Sequence, residues 1–181
     1  MATKPRIYSA AGWYHVYNRG ARHQNVFHDD EDRQLFVELL ADLVQGGMFR
    51  CHASCLMGNH YHLVIEAEGT DISRGIKALA GQYVQKFNSR HGFDGPLFRS
   101  RFGSTAIEGD EHLLETIRYV HNNPVDIGQH VGRYPWSTHR QYLNPSLAAP
   151  WLERAHVMGY FNGDVRAYQS FVEGTPYQWA A

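Results

Sequence analysis

The chain has 181 residues, 43% of them hydrophobic, and a formal net charge of −1 with its twelve histidines counted neutral. That suits one domain with its own core plus an extension, rules out a disordered chain, and means that any basic surface has to be local. No apolar run approaches a membrane span, and Met1-Ala2-Thr3-Lys4-Pro5 lacks the apolar core of a signal peptide, so a cytoplasmic protein without membrane contacts is expected.

In chain order, Trp13 to Arg19 reads as a first strand closed by Gly20. Asp29 to Asp32 then crowd acid where a helix dipole favours it, and we read this run as a helix start rather than a metal site. Leu35, Phe36, Leu39, Leu40, Leu43 and Val44 form the one-sided stripe of that helix, which stops at Gly46-Gly47. Phe49 to Leu56 alternates as a second strand. Its Cys51 and Cys55 would stand about 13 Å apart, beyond disulfide reach, as small core residues in a reducing compartment.

A loop of Met57-Gly58-Asn59 leads into His60-Tyr61-His62-Leu63-Val64-Ile65-Glu66, a third strand. In a simple hairpin, Leu56 faces His60, Ser54 faces His62, His52 faces Val64 and Arg50 faces Glu66. By alternation His60 and His62 share the face opposite Tyr61, Leu63 and Ile65. Two histidines at i and i+2 can converge on one divalent cation. Taken alone, the pair reads more readily as two surface histidines on an exposed strand, and the second stretch, Tyr119 to Asn123, is what favours the cation.

A second helix, from Asp71 to about His91, carries Ile72, Ile76, Leu79, Tyr83 and Phe87 on its apolar face. Leu97-Phe98-Arg99-Ser100-Arg101-Phe102 alternates basic and aromatic residues, as a nucleic-acid surface or as a connector with solvated arginines. Together with Lys77, Lys86, Arg90 and His91 it makes the middle of the chain basic. A fourth strand near Ser104 to Glu108 precedes a third helix, for which Asp110 is the candidate N-cap and Pro124 the stop. Leu113, Leu114, Ile117, Val120 and His121 form its buried stripe. Tyr119 and Asn123, one turn apart, share a different face, which weakens a packing role for the tyrosine. Beyond this, residues 126–181 read as an extension wrapped on the 1–125 domain, with short helices at Pro150 to His156 and Gly163 to Glu173.

The order strand, helix, hairpin, helix, strand is that of an α+β, ferredoxin-like (RRM-like) antiparallel sheet with helices on one face. With His60-Tyr61-His62 and Tyr119-x-x-x-Asn123 it resembles the single-tyrosine HUH transposases, named for histidine-hydrophobic-histidine. The branch it looks most like is the REP-associated tyrosine transposases. Asn18-Arg19-Gly20, Met57 to Ile65, Phe87 to Gly92, Leu97 to Phe102, Arg118 to Pro124 and Pro135-Trp136-Ser137 carry this resemblance. They span residues 13 to about 142 and leave 143–181 uncovered.

The resemblance implies a transposase that cleaves and rejoins single-stranded DNA at palindromic hairpins through a 5′-phosphotyrosine. It implies Tyr119 as nucleophile, and His60 and His62 as ligands of Mg²⁺ or Mn²⁺. Insertion-sequence relatives place a glutamine four residues after the tyrosine; here the shorter Asn123 stands there as third ligand. Lys86, Arg90, Arg99 and Arg101 are the expected phosphate contacts, and the extension is expected to touch DNA. The partner implied is hairpin-forming DNA, and monomer and homodimer both stay open. Two other readings stand beside this one: a ferredoxin-like module that binds hairpin DNA or RNA without cutting it, and a metal hydrolase using His60 and His62 on other substrates. The first leaves the exposed His pair and tyrosine without a purpose, the second leaves Tyr119 and residues 97–102 without one.

Overall fold

Strand β1 (Trp13–Arg19) has the bounds its alternation predicts, burying Tyr14, Val16 and Asn18 on one side. The computed structural model describes residues 9–69 and 71–174. Thr70, expected to lead into the second helix, and the chain ends 1–8 and 175–181 lie outside the described residues. Strands β2 (Arg50–Leu56), β3 (His60–Glu66) and β4 (Gly103–Ala106) complete an antiparallel sheet in the order β2-β3-β1-β4. Helices α1 (Asp30–Gln45) and α2 (Asp71–His91) follow β1 and β3, which gives the expected ferredoxin-like order. None of the described helices is long and apolar enough to cross a membrane.

The core helices cover one face of the sheet. Phe36, Leu39 and Leu40 of α1 and Ile76, Leu79, Tyr83 and Phe87 of α2 bury themselves with Tyr61, Leu63 and Ile65 of β3. Phe36 packs against Tyr61 with its ring tilted, at 4.8 Å between ring centroids, and edge-on to Tyr83 at 5.2 Å. The Tyr83 hydroxyl donates to the Val26 carbonyl. Tyr83→Phe should therefore lower stability by about 1–2 kcal/mol, the cost of an unpaired buried carbonyl. It should leave the chemistry of the opposite face unchanged; urea unfolding beside an activity assay checks both.

The start of α1 does more than cap a helix. Asp29 is the N-cap, its carboxylate accepting from the Asp32 amide at 3.0 Å. Asp32 is buried and accepts from the His28 amide at 2.8 Å and from Arg90 Nη1 at 2.6 Å, with His91 Nε2 at 2.9 Å. Burial alone would raise its pKa, but these partners outweigh it and hold the carboxyl below the ordinary value. Arg90 also pairs with Asp29 and Glu31, each at 2.7 Å. The acid run thus clamps the end of α2 to the start of α1. Gly92, at φ +67°, then lets Phe93 N return to the Asn88 carbonyl at 3.0 Å, ending α2.

The hairpin register differs from the simple expectation. Arg50 does face Glu66, and they pair at 3.2 Å, but β2 bulges at His52, between Cys51 and Ala53. From there the partners are Ala53↔Val64, Ser54↔Leu63, Cys55↔His62 and Leu56↔Tyr61. The extra residue shifts the pairing by one. The bulged carbonyl of His52 accepts from the Tyr142 hydroxyl at 2.7 Å, a partner ninety residues on.

Helix α3 (Asp110–Asn122), which follows β4, packs on the other face against β2 and β3. Its N-cap is Gly109 rather than Asp110, and no side chain caps it. The chain then runs along the free edge of β2: Leu56 N donates to Trp136 O at 2.9 Å, and Thr138 N to Ser54 O at 3.0 Å. An edge strand is thereby covered. Residues 150–154, expected to be helical, lie beside β2 instead, with Glu153 N donating to Cys51 O at 2.9 Å. Short 3₁₀ turns and the α-helices α4 (His139–Leu143), α5 (Ala155–Gly159) and α6 (Val165–Glu173) make up the rest of the described chain.

Between α3 and these helices lies a buried polar chain. His121 has Thr138 Oγ1 at 3.0 Å on Nε2 and the Tyr168 hydroxyl at 2.7 Å on Nδ1; His139 Nε2 lies 3.0 Å from Glu173. Burial drives the pKa of His121 well below 6.5 and lowers that of His139, whose bond to Glu173 offsets only part of the effect. The unfolded chain, with histidine near 6.5, therefore takes up protons that the folded chain refuses as pH falls below that value. Stability should drop below pH 6.5 by on the order of 1 kcal/mol per pH unit for each such histidine. Melting temperatures between pH 7.5 and 5.0 test this, and a flat profile would contradict it.

Candidate active site

The bulge and the β1–β3 pairing decide what surrounds His60 and His62. In β1, Tyr17 lies opposite His62 and Arg19 opposite His60, so His15, Tyr17 and Arg19 share the histidine face. Gly103 of β4 pairs with Tyr17, and a Cβ there would meet the Tyr17 ring at 2.4 Å; only glycine lets that ring lie across the strand. Helix α3 crosses this face and sets Tyr119 above the sheet, its ring edge-on to His62 at 5.4 Å and to His15 at 5.6 Å. One turn on, Asn123 comes down beside His60.

These groups line an open cleft of about 960 Å³, together with Asn18, Asn59, Arg99, Ser100, Arg101, Asp126 and Ile127. Tyr119 is 41% exposed, whereas Asn123 is only 4% exposed, so the two do not share an open face as expected. Tyr119 looks into the cleft and Asn123 forms its floor. Arg19, Arg99 and Arg101 are exposed, and among the described residues no carboxylate pairs with them. Lys86 and Arg90 are on α2, outside the cleft, and the charge of Arg90 is already met by three carboxylates.

Hydrogen bonding fixes the state of His60. Asn59 Nδ2 is directed at the His23 carbonyl at 3.5 Å, and Asn123 Nδ2 donates to the Tyr119 carbonyl at 3.0 Å. Both amides therefore turn their oxygens to the imidazole: Asn59 Oδ1 lies 2.7 Å from Nδ1 and Asn123 Oδ1 lies 3.3 Å from Nε2. Burial lowers the His60 pKa, which keeps the ring neutral with a single N–H. Placed on the shorter contact, that hydrogen leaves the Nε2 lone pair against the Asn123 oxygen. Two acceptors facing one another across 3.3 Å are an arrangement that a cation reconciles.

His62 is 8% exposed, and burial together with the neighbouring His15 and His60 pushes its pKa down to about 2. Its Nδ1 lies 2.8 Å from His15 Nε2. Among the described residues no three His, Cys, Asp or Glu side chains converge on one point; a cation site here would be two imidazoles and an amide oxygen. The Tyr119 phenol is held above its ordinary pKa, first by burial and then by the Asp126 carboxylate, with the Asn123 bond working the other way. It is therefore protonated at neutral pH.

His15, Tyr17 and Arg19 were readable in principle. The β1 alternation separates them from Tyr14, Val16 and Asn18, and a ferredoxin-like order sets β1 beside β3. Asp126 carried no sequence signal.

A histidine pair on the central strand of this sheet, under a tyrosine presented by the helix after β4, belongs to the HUH class of transposases. Residues 9–123 match the family model described as Transposase IS200 like, and the chain belongs to that family. It is similar in structure to a REP-associated tyrosine transposase solved bound to a REP hairpin, with 19% identity over 84% of this chain and 92% of that one, at a TM-score of 0.65. At that identity the likeness speaks for the fold. A candidate transposase from Deinococcus radiodurans R1 is more loosely similar, at 22% identity over 67% of this chain and 97% of that one and a TM-score of 0.45. A search of curated proteins finds no significant match.

Proposed function

We propose that this transposase cuts and rejoins single-stranded DNA beside a palindromic hairpin, with Tyr119 as nucleophile. The observation that carries the reading is the half-exposed Tyr119 ring 5.4 Å from His62, over a cleft edged by Arg19, Arg99 and Arg101. The Tyr119 oxygen attacks the scissile phosphorus, the bond from phosphorus to O3′ breaks, and the released 3′-oxygen takes up a proton as the phenol gives one up. The products are a 5′-phosphotyrosine and a free 3′-hydroxyl. One phosphoester replaces another, so the 3′-hydroxyl of a second strand can reverse the step without ATP.

His60 Nε2, His62 and Asn123 Oδ1 would hold Mg²⁺ or Mn²⁺, which when bound acts as a Lewis acid on the phosphate and eases loss of the phenolic proton. The protein's own part is to fix that donor set through Asn59 and to hold Tyr119 over it through α3. Asn123 joins the two tasks, since its amide binds the Tyr119 carbonyl while its oxygen faces His60.

Arg19, Arg99 and Arg101 supply the phosphate contacts along the cleft. Of the extension, Asp126 and Ile127 reach the cleft wall, and its contacts with a DNA flank would fall there. Arg99→Ala or Arg101→Ala should weaken hairpin binding and reduce the slope of log affinity against log salt by about one. Arg90→Ala should leave that slope alone and loosen the α1–α2 clamp instead. Binding titrations at several salt concentrations separate the two results.

The test of the function is a denaturing gel. The protein is incubated with a hairpin oligonucleotide labelled 3′ of the cut site, with Mg²⁺ or Mn²⁺. A labelled protein band that disappears with EDTA is expected. Tight hairpin binding with no such band would make the protein a non-cutting binder.

A further inference from the structure

His15 sets its imidazole against His62, another histidine of the cleft. Its Nε2 lies 2.8 Å from His62 Nδ1, with the two rings 5.0 Å apart and inclined by only 24°. It reaches there from the neighbouring strand, where it pairs opposite Val64, one step diagonal to His62. The contact is therefore set by sheet register rather than by a mobile loop.

A hydrogen bond between two neutral imidazoles has one donor and one acceptor, so two forms exist. If His15 donates, His62 Nδ1 accepts, and the only proton of His62 sits on Nε2, where it repels a cation. If His62 donates, its Nε2 is bare, and His15 carries its own proton on Nδ1. Only the second form makes His62 a ligand. The neighbouring ring follows the same logic: His60 Nδ1 lies 2.7 Å from the Asn59 amide oxygen, the shorter of its two contacts with an acceptor.

We propose that His15 is a positioning residue, the acceptor for His62 Nδ1–H, which presents the unprotonated Nε2 of His62 to the divalent cation. The assignment rests on the metal reading given above. The two ligands are thus held in the same tautomer by different acceptors, an amide oxygen on the turn and an imidazole on β1. His15 also lies under the edge of the Tyr119 ring, at 5.6 Å, so its removal frees space beneath the nucleophile as well.

The experiment is direct Mn²⁺ titration of the full chain without DNA, with free Mn²⁺ read by electron paramagnetic resonance. His15→Ala should weaken Mn²⁺ binding by roughly ten- to hundredfold, the usual cost of losing a ligand's hydrogen-bond partner. His15→Gln, which can offer an oxygen to His62, should recover most of that loss. Hairpin affinity in EDTA should match the parent in both variants, which shows that fold and DNA surface survive. Electron spin-echo modulation of the bound Mn²⁺ should show two imidazole nitrogens in the parent and in His15→Gln. Equal Mn²⁺ affinity in the parent and His15→Ala overturns the proposal while leaving the metal reading intact. So does a third imidazole in the parent, which makes His15 a ligand, and so does a glutamine variant no better than alanine, which reduces His15 to packing. No Mn²⁺ binding by the parent overturns the metal reading itself, and this proposal with it.

Discussion

Tyr119→Phe should abolish the covalent DNA adduct and slow strand cleavage by at least about 10⁴-fold, since it deletes the atom that attacks. Hairpin affinity should stay within about twofold of the parent, because the substitution removes one oxygen from a side chain that is 41% exposed and keeps its ring. Rivals sharpen the test. Tyr61 is fully buried on the opposite face of β3, against Phe36 and Phe98. Tyr83 is fully buried with its hydroxyl on Val26. Tyr17 is the serious one: also 41% exposed, it lies in the same cleft with its ring 6.0 Å from His62. It lacks the link that ties Tyr119 to Asn123, so Tyr17→Phe should still form the adduct. Single-turnover cleavage and hairpin binding, measured for Tyr119→Phe and Tyr17→Phe, decide between them.

Replacing either histidine of the pair comes next in size. His60→Ala and His62→Ala should each reduce cleavage by about 10³-fold or more, the scale seen when electrostatic stabilisation of a transition state is lost. They should differ in stability. His60 is half-buried at the lip of the cleft, and its loss should move the melting temperature little. His62 is nearly buried beneath Tyr119, so its removal opens a small void and should lower the melting temperature by a few degrees. That departs from the reading of the pair as surface histidines on an exposed strand. In both variants EDTA should have no further effect, whereas it should bring the parent down to the same floor. A histidine variant that still cuts at the parent's rate in Mg²⁺ would remove the metal from the account.

What could be read from the residues alone divides along physical lines. Local periodicity located β1 and α2, because alternation and a 3.6-residue stripe are properties of short segments. Register was not local. The carbonyl at the His52 bulge is met by a hydroxyl ninety residues away, on Tyr142, while the local alternation fits a simple hairpin on both faces. Charge was legible as position but not as partnership. The acid run was read as a helix start, and Arg90 as a phosphate contact, yet each is the other's counter-ion. Within the cleft, His60, His62, Tyr119 and Asn123 could be named from spacing and resemblance. His15 is on that face by the β1 alternation and the strand order, but its contact with His62 follows from the exact register of β1 on β3, which no single segment carries.

The claim on which the rest depends is that one phenol, on α3, carries the DNA. The parent protein should be incubated with an oligonucleotide labelled 3′ of the cut site, digested with protease, and the labelled peptide sequenced by mass spectrometry. The account predicts a single labelled peptide spanning Arg118 to Pro124, with the nucleotide on Tyr119 and phosphorus joined to the 5′ side of the DNA. Label on Tyr17 or any other residue, or on a 3′-phosphate, would contradict it.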